Sequence, residues 1–175
     1  MQSRILTATV IGLEARLVEV EVDLESGLRS FTIVGLPDEA VKESKERVSA
    51  ALKNSGFKPP SQFNKRITIN LAPADLKKQG PIFDVAIALG ILIATEQIDE
   101  NTSSSIFIGE LSLDGRLRDV KGAILISFLA IQLGIKSLFL PNGNALEASL
   151  NNKVDIFPAN DLRELVEKLK QKNQG

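Results

Sequence analysis

The chain has 175 residues, a formal charge of −1, and 43% apolar and 25% charged residues. That is the balance of an ordinary globular domain large enough for one sizeable core. It contains no cysteine or histidine, which excludes disulfides, thiolate chemistry, a Ser-His-Asp triad and the usual zinc constellations.

The first 17 residues lack a small-residue cleavage site and carry Glu14 inside their apolar stretch, so no signal peptide is expected. Residues 4–12 (RILTATVIG) read as a β-strand rich in β-branched side chains. In residues 15–25 (ARLVEVEVDLE), Leu17, Glu19, Glu21 and Asp23 alternate with Val18, Val20, Val22 and Leu24. Period two predicts a half-buried strand with one wet face. The short link at Gly12–Glu14 predicts a hairpin, and Gly27 a turn into a third strand, Arg29–Val34. Three strands on short turns predict an antiparallel meander.

At Gly35-Leu36-Pro37 the period changes. Pro37 suits a first helical position, and Asp38 and Glu39 suit the positive end of the helix dipole. The helix is expected to reach Asn54, burying Val41, Val48, Ala51 and Leu52, with Gly56 ending it and Pro59-Pro60 barring continuation. A strand follows at Arg66–Leu71, then a polar loop from Ala72 to Gly80. After Gly80-Pro81 comes an almost wholly apolar helix to about Thr95. Its apolar run is far short of the roughly 18 residues that span a membrane. SIFIGELSLDGRLRDV predicts a strand, a turn at Asp114-Gly115 and a return strand, because Asp-Gly suits a type I′ hairpin. Residues 121–133 form another buried helix closed by Gly134. A strand at 137–140, a short helix at 144–150 and a strand at 153–157 follow. Asp161 and Glu164 offer a capping box for a last helix with Leu162, Leu165, Val166 and Leu169 inward. The prediction is one α+β domain over 1–170, helices layered on a mixed sheet, with a frayed polar tail at 171–175.

Residues 41–80 hold nine Lys/Arg against three Asp/Glu. Lys42, Lys45, Lys53, Lys65, Arg66, Lys77 and Lys78 (with Arg47 and Lys58) are candidates for an anion- or DNA-facing surface, and the plain alternative is a solvated helix face and loop. The loop at 72–80 meets a helix N-terminus, where N–H groups point outward. Asp84, in that helix's first turn, reads as a structural partner of free N–H groups rather than as a catalytic carboxylate. Gly80, Pro81, Asp114 and Gly115 read as structural, Glu110 as a polar group of unknown role, and Ser127 as core. No Walker A loop, GxGxxG or GxSxG is present. No metal site is expected, and hydrolysis would need a Ser-Lys dyad, paired carboxylates or an oxygen-ligated metal. Tyr and Trp are absent as well, which weakens the case for stacking on single strands.

Four stretches in order carry a family resemblance: FTIVGLPDEAVKESKERVSAALKNSGF (31–57), ITINLAPADLKKQGPIFDVAIALGIL (67–92), GELSLDGRLRDVKGAI (109–124) and LPNGNALEASL (140–150). Together they resemble the N-terminal domain of magnesium-chelatase-like AAA+ proteins of the competence-protein ComM type. The chain departs from that pattern at Gly80-Pro81-Ile82. The resemblance implies a fold shared with the Lon protease catalytic domain and with the second domain of small-subunit ribosomal protein five. Lon-type proteases use a serine after Gly-Pro and a lysine on a later helix; matching Gly80-Pro81 and Gly134-Ile135-Lys136 puts Ile82 and Ile126 at those positions. Two isoleucines supply neither hydroxyl nor amine, so no catalytic residue and no enzyme activity is expected of this chain. The resemblance further implies an ATPase module beyond Gly175 that would bring ATP and Mg. It also implies a homo-oligomeric ring, DNA processing in transformation and a cytoplasmic location. The chain is then the N-terminal part of a longer protein or a shortened homologue. A degenerate peptidase and a stand-alone docking module are the alternatives.

Overall fold

The alternating stretch becomes the strand on which the sheet is hung. In the computed structural model, which describes residues 2–175, β1 (Gln2–Ile11) and β2 (Glu14–Glu25) form the expected hairpin, in unbroken register from Gln2↔Asp23 to Ile11↔Glu14. β3 (Ser30–Val34) does not continue a meander. The free edge of β2 is taken instead by β4 (Arg66–Ala72), antiparallel over seven residue pairs, and β3 lies outside β4 and parallel to it. The exchange sets Ile67, Ile69 and Leu71 beside Val20 and Val22 on one buried face, which the five residues of β3, with only Ile33 buried, could not supply. Burial of matching apolar faces decides strand pairing where turn length leaves it open.

The remaining strands are β5 (Ser105–Phe107), β6 (Glu110–Leu111), β7 (Leu117–Arg118), β8 (Ser137–Pro141) and β9 (Asp155–Ala159). Seven strands form one mixed sheet in the order β3-β4-β2-β1-β5-β8-β9, with four of its six pairings parallel. β6 and β7 make a separate hairpin. Its Asp114-Gly115 turn is not type I′: only Gly115 has positive φ (+95°), and Gly115 N–H closes on Ser112 O at 3.0 Å.

The long helix splits into α1 (Glu39–Lys42) and α2 (Ser44–Asn54). Pro37 precedes the helix rather than starting it, because Asp38 is the N-cap, accepting from Val41 N–H at 2.8 Å. α3 (Asp84–Ala94) follows a one-turn 3-10 segment at Pro81–Phe83, and only Ile93 among its residues is not buried. It crosses the face of β1 and β2, where a Cβ at Gly90 would stand 2.6 Å from Val22. α2 packs on α3. α4 (Ala123–Gln132) covers the opposite face near the β1–β2 turn, against Val10, and α5 (Ala145–Ala148) lies beside it. α6 (Leu162–Gln174) buries the four predicted residues and starts on the Asp161 cap. The Glu164 carboxylate accepts from Asn160 N–H, one residue before the cap. α6 does not fray at Gln171: it continues to Gln174, where Lys172 and Asn173 bond Ser104 and Glu100.

Candidate functional site

The loop before α3 is clamped to the segment before α1. Pro37 and Lys78 form an isolated parallel bridge. Lys78 N–H donates to Leu36 O, and Asp38 N–H donates to Lys78 O, each at 3.0 Å. The Asp38 carboxylate, besides capping α1, accepts from Gly80 N–H at 3.2 Å. Gly35 allows the approach: at φ +108° its Cβ would lie 2.2 Å from Leu71 O. Leu36 follows at φ +57°, a left-handed backbone uncommon for leucine, with its side chain 53% exposed.

Lys78 was expected to face solvent and does not. Its side chain is fully buried, and its ammonium donates to Pro73 O. Burial holds this amine below the usual lysine range, opposed only by Asp75. The aliphatic stem fills the space under the clamp, so Lys78 leaves the set of anion-binding candidates.

Asp84 is structural, by a route other than capping. No side chain caps α3, and the Asp84 carboxylate turns to α2 and β6. It accepts from Ser44 Oγ at 2.5 Å, Arg47 Nε at 2.7 Å, an Arg47 terminal nitrogen at 3.1 Å and Leu111 N–H at 3.0 Å. Burial pushes its carboxyl above the ordinary carboxylate range, against the pull of those donors. Arg47 therefore serves as an internal tie, not a surface cation.

Beside this junction lies a cavity of about 620 Å³ between the end of β1, Gly80–Ile82 and the start of α4. Ile82 lines it. From α4 the lining residue is Leu125, while Ile126 is fully buried and does not line it. Neither Ile82 nor Leu125 carries a group for proton transfer or nucleophilic attack. The polar groups at its walls are Thr9, Gln79, Glu110, Asp119 and Lys121. Of these the sequence singled out only Glu110. Thr9 sits on a strand and Asp119 and Lys121 in a loop, and no local spacing joins them.

The other basic candidates do not form one surface. Lys42, Lys53, Lys65, Arg66 and Lys77 are exposed and Lys45 is half-buried. Arg66 points to the open sheet face opposite α2 and α3, in a groove with Glu21, Asp23 and Glu25. Lys42, Lys45 and Lys53 lie on the helical side, sharing α1 and α2 with Glu39 and Glu46.

A seven-stranded mixed sheet with a clamped loop before α3 is the frame of a Mg-chelatase-like domain with Lon-like relatives. The family of subunit ChlI of Mg-chelatase matches residues 20–144, and the chain belongs to it. The chain is 44% identical to competence protein ComM of Haemophilus influenzae over 158 residues, covering 90% of this chain and 30% of that protein. It is 41% identical to the uncharacterized protein YifB of Salmonella typhimurium over 158 residues, with the same coverage. Lon protease of Rhizobium meliloti is 24% identical over 170 residues, 92% of this chain and 21% of that protein. The chain thus spans about 30% of the length of its ComM and YifB relatives.

Proposed function

We propose that this chain is a non-catalytic Lon-like N-terminal domain serving a magnesium-chelatase-like AAA+ ATPase, where it supports ring assembly and DNA binding or remodelling. The observation that carries this reading is the match of nearly the whole chain to the first part of ComM-type relatives, combined with Ile82 and Leu125 in the cavity beside the loop–α3 junction. ATP and Mg would act in the ATPase module, which would also be this domain's partner. Among the described residues no helix is long and apolar enough to cross a membrane, and we place the protein in the cytoplasm. DNA would meet the lysines of the helical side, Lys42, Lys45 and Lys53.

The test is fluorescence anisotropy with duplex, forked and single-stranded DNA from low to physiological salt, alongside casein and peptide turnover. Binding that weakens steeply with salt, with no turnover, is the expected result. No binding at low salt removes the DNA role, and turnover abolished by Lys121→Ala would return the chain to the enzymes. Light scattering across a concentration series tests assembly.

A further inference from the structure

β1 has a second edge that the fold leaves unused. The strand pairs with β2 over its whole length but meets β5 at one position, Leu6↔Ile106. β5 ends at Phe107, and the chain then leaves the sheet, with Gly109 N–H donating to Ile82 O at 3.0 Å and Gly109 O accepting from Val85 N–H at 3.1 Å. From Ala8 to Ile11 no strand lies on that side, although β1 is in the middle of a seven-stranded sheet. Four residues of extended backbone run for about 13 Å. This stretch borders the 620 Å³ cavity, whose wall includes Thr9, Val10 and Gly12.

The cavity is polar where a strand would need it to be. Thr9 is 5% exposed, and no hydrogen bond of its side chain to another described residue is present. Across the cavity, the 3-10 turn at Pro81–Phe83 and α4 both begin at a glycine, Gly80 and Gly122; neither N-cap residue supplies a side-chain cap, and in α4 the Glu147 carboxylate accepts from Ile124 N–H at 3.3 Å. Glu110 and Asp119 stand on the wall with no salt bridge among the described residues; Lys121 is the one cation of the lining, and Arg47 lies behind Glu110, close enough to feel its charge. Natural sheets blunt an unpaired edge with proline, lysine or a covering segment. Residues 8–11 read Ala-Thr-Val-Ile and contain neither.

We propose that this slot receives an extended polypeptide segment, which adds to β1 along Ala8–Ile11 and directs a basic side chain to Glu110 and Asp119. Strand addition satisfies the outward N–H and C=O groups of β1, and the flanking side chains give selectivity. A purely apolar ligand would leave those backbone groups dry and unpaired. A phosphodiester would meet two carboxylates and one amine. The site docks a chain and makes or breaks no bond, so it stands independently of DNA binding by α1 and α2.

The probe is an equimolar pool of acetylated Val-X-Arg-X-Thr pentapeptide amides added to the ¹⁵N-labelled 175-residue chain. The expected result is amide shifts confined to residues 8–11, 80–82 and 119–122, with hydrogen exchange slowed about tenfold or more within 8–11. Replacing Arg by Glu in the pool, or Glu110→Gln with Asp119→Asn in the protein, weakens binding about fivefold or more. Leu125→Trp, which narrows the slot without touching β1, abolishes it. No shift at residues 8–11 with millimolar wild-type protein and peptide overturns the proposal. So does equal binding of a pool with proline at both X positions, which cannot donate to a strand. These two outcomes use the unaltered protein, so a variant that fails to fold does not blunt the test.

Discussion

Asp84 and Lys78 are both fully buried ionisable side chains, and the fold treats them in opposite ways. Asp84 is given a guanidinium, a hydroxyl and an amide N–H. Removing the guanidinium leaves the carboxylate buried without its counter-charge, so Arg47→Met is expected to cost about 3–5 kcal/mol. Asp84→Asn in that background should restore part of the loss, because the charge is then gone. Urea unfolding checks both, and a single-variant cost below about 1 kcal/mol would show that the tie is ornamental. Lys78 has the Pro73 carbonyl and, among the described residues, no salt-bridged anion, with only Asp75 near enough to oppose the effect of burial. Its folded-state pKa lies below the ordinary lysine value near 10.4. Between the two values the unfolded chain binds more protons than the native one, so stability from this group rises with pH and is reduced as pH falls. Unfolding from pH 7 to pH 10 should therefore show wild type gaining on Lys78→Met, by at most about 1.4 kcal/mol per pH unit. A constant difference between the two proteins would refute the burial account. Lys77 and Lys78 were indistinguishable in the sequence, since adjacent lysines on a loop both read as solvated. Only the pairing of Lys78 with Leu36 and Asp38, far upstream, turns one of them inward.

At the scale of elements, what was local could be read. The alternation in β2, the buried stripe of α2 and the Asp161 cap of α6 follow from spacing alone. The place of β3 could not, because its partner β4 lies beyond two helices and the choice rests on which apolar face fits. The loop clamp was equally hidden, although Gly35 carries its signature. Gly35→Ala drives a Cβ to 2.2 Å from Leu71 O on a backbone at φ +108°, in the joint between β3 and β4. The expected loss is about 3 kcal/mol or more, since either the strand pair parts or the loop changes conformation. Gly12→Ala makes the comparison: its φ of +63° is also left-handed, but nothing lies within 4 Å of the added Cβ. It should lose only the backbone term of about 1–2 kcal/mol. Equal losses at the two sites in chemical denaturation would show that the contact with Leu71 is not what holds the loop.

Across the whole molecule, the near-zero net charge hides a division by face. β2 presents Glu19, Glu21, Asp23 and Glu25 on the open side of the sheet, partly met by Arg4 and Arg66, while the exposed lysines of α1 and α2 lie on the helical side. Lysines on the helical side share their helices with Glu39 and Glu46, and the burial of Lys78 and the tie of Arg47 reduce further what a polyanion can find there. Six lysines of the original set remain at the surface: Lys42, Lys45, Lys53, Lys58, Lys65 and Lys77. Each phosphate neutralised contributes about −0.9 to the slope of log affinity against log salt on duplex DNA, so a slope no steeper than about −5.4 is expected for one copy of the domain. Lys42→Ala, Lys45→Ala and Lys53→Ala together should bring it to about −2.7 or shallower and weaken binding to every sequence alike. Glu21→Gln with Asp23→Asn, on the opposite face, should leave the slope unchanged. A steeper slope from a monomer, or a change in slope from the sheet-face variant, would place the nucleic acid on a surface other than these helices.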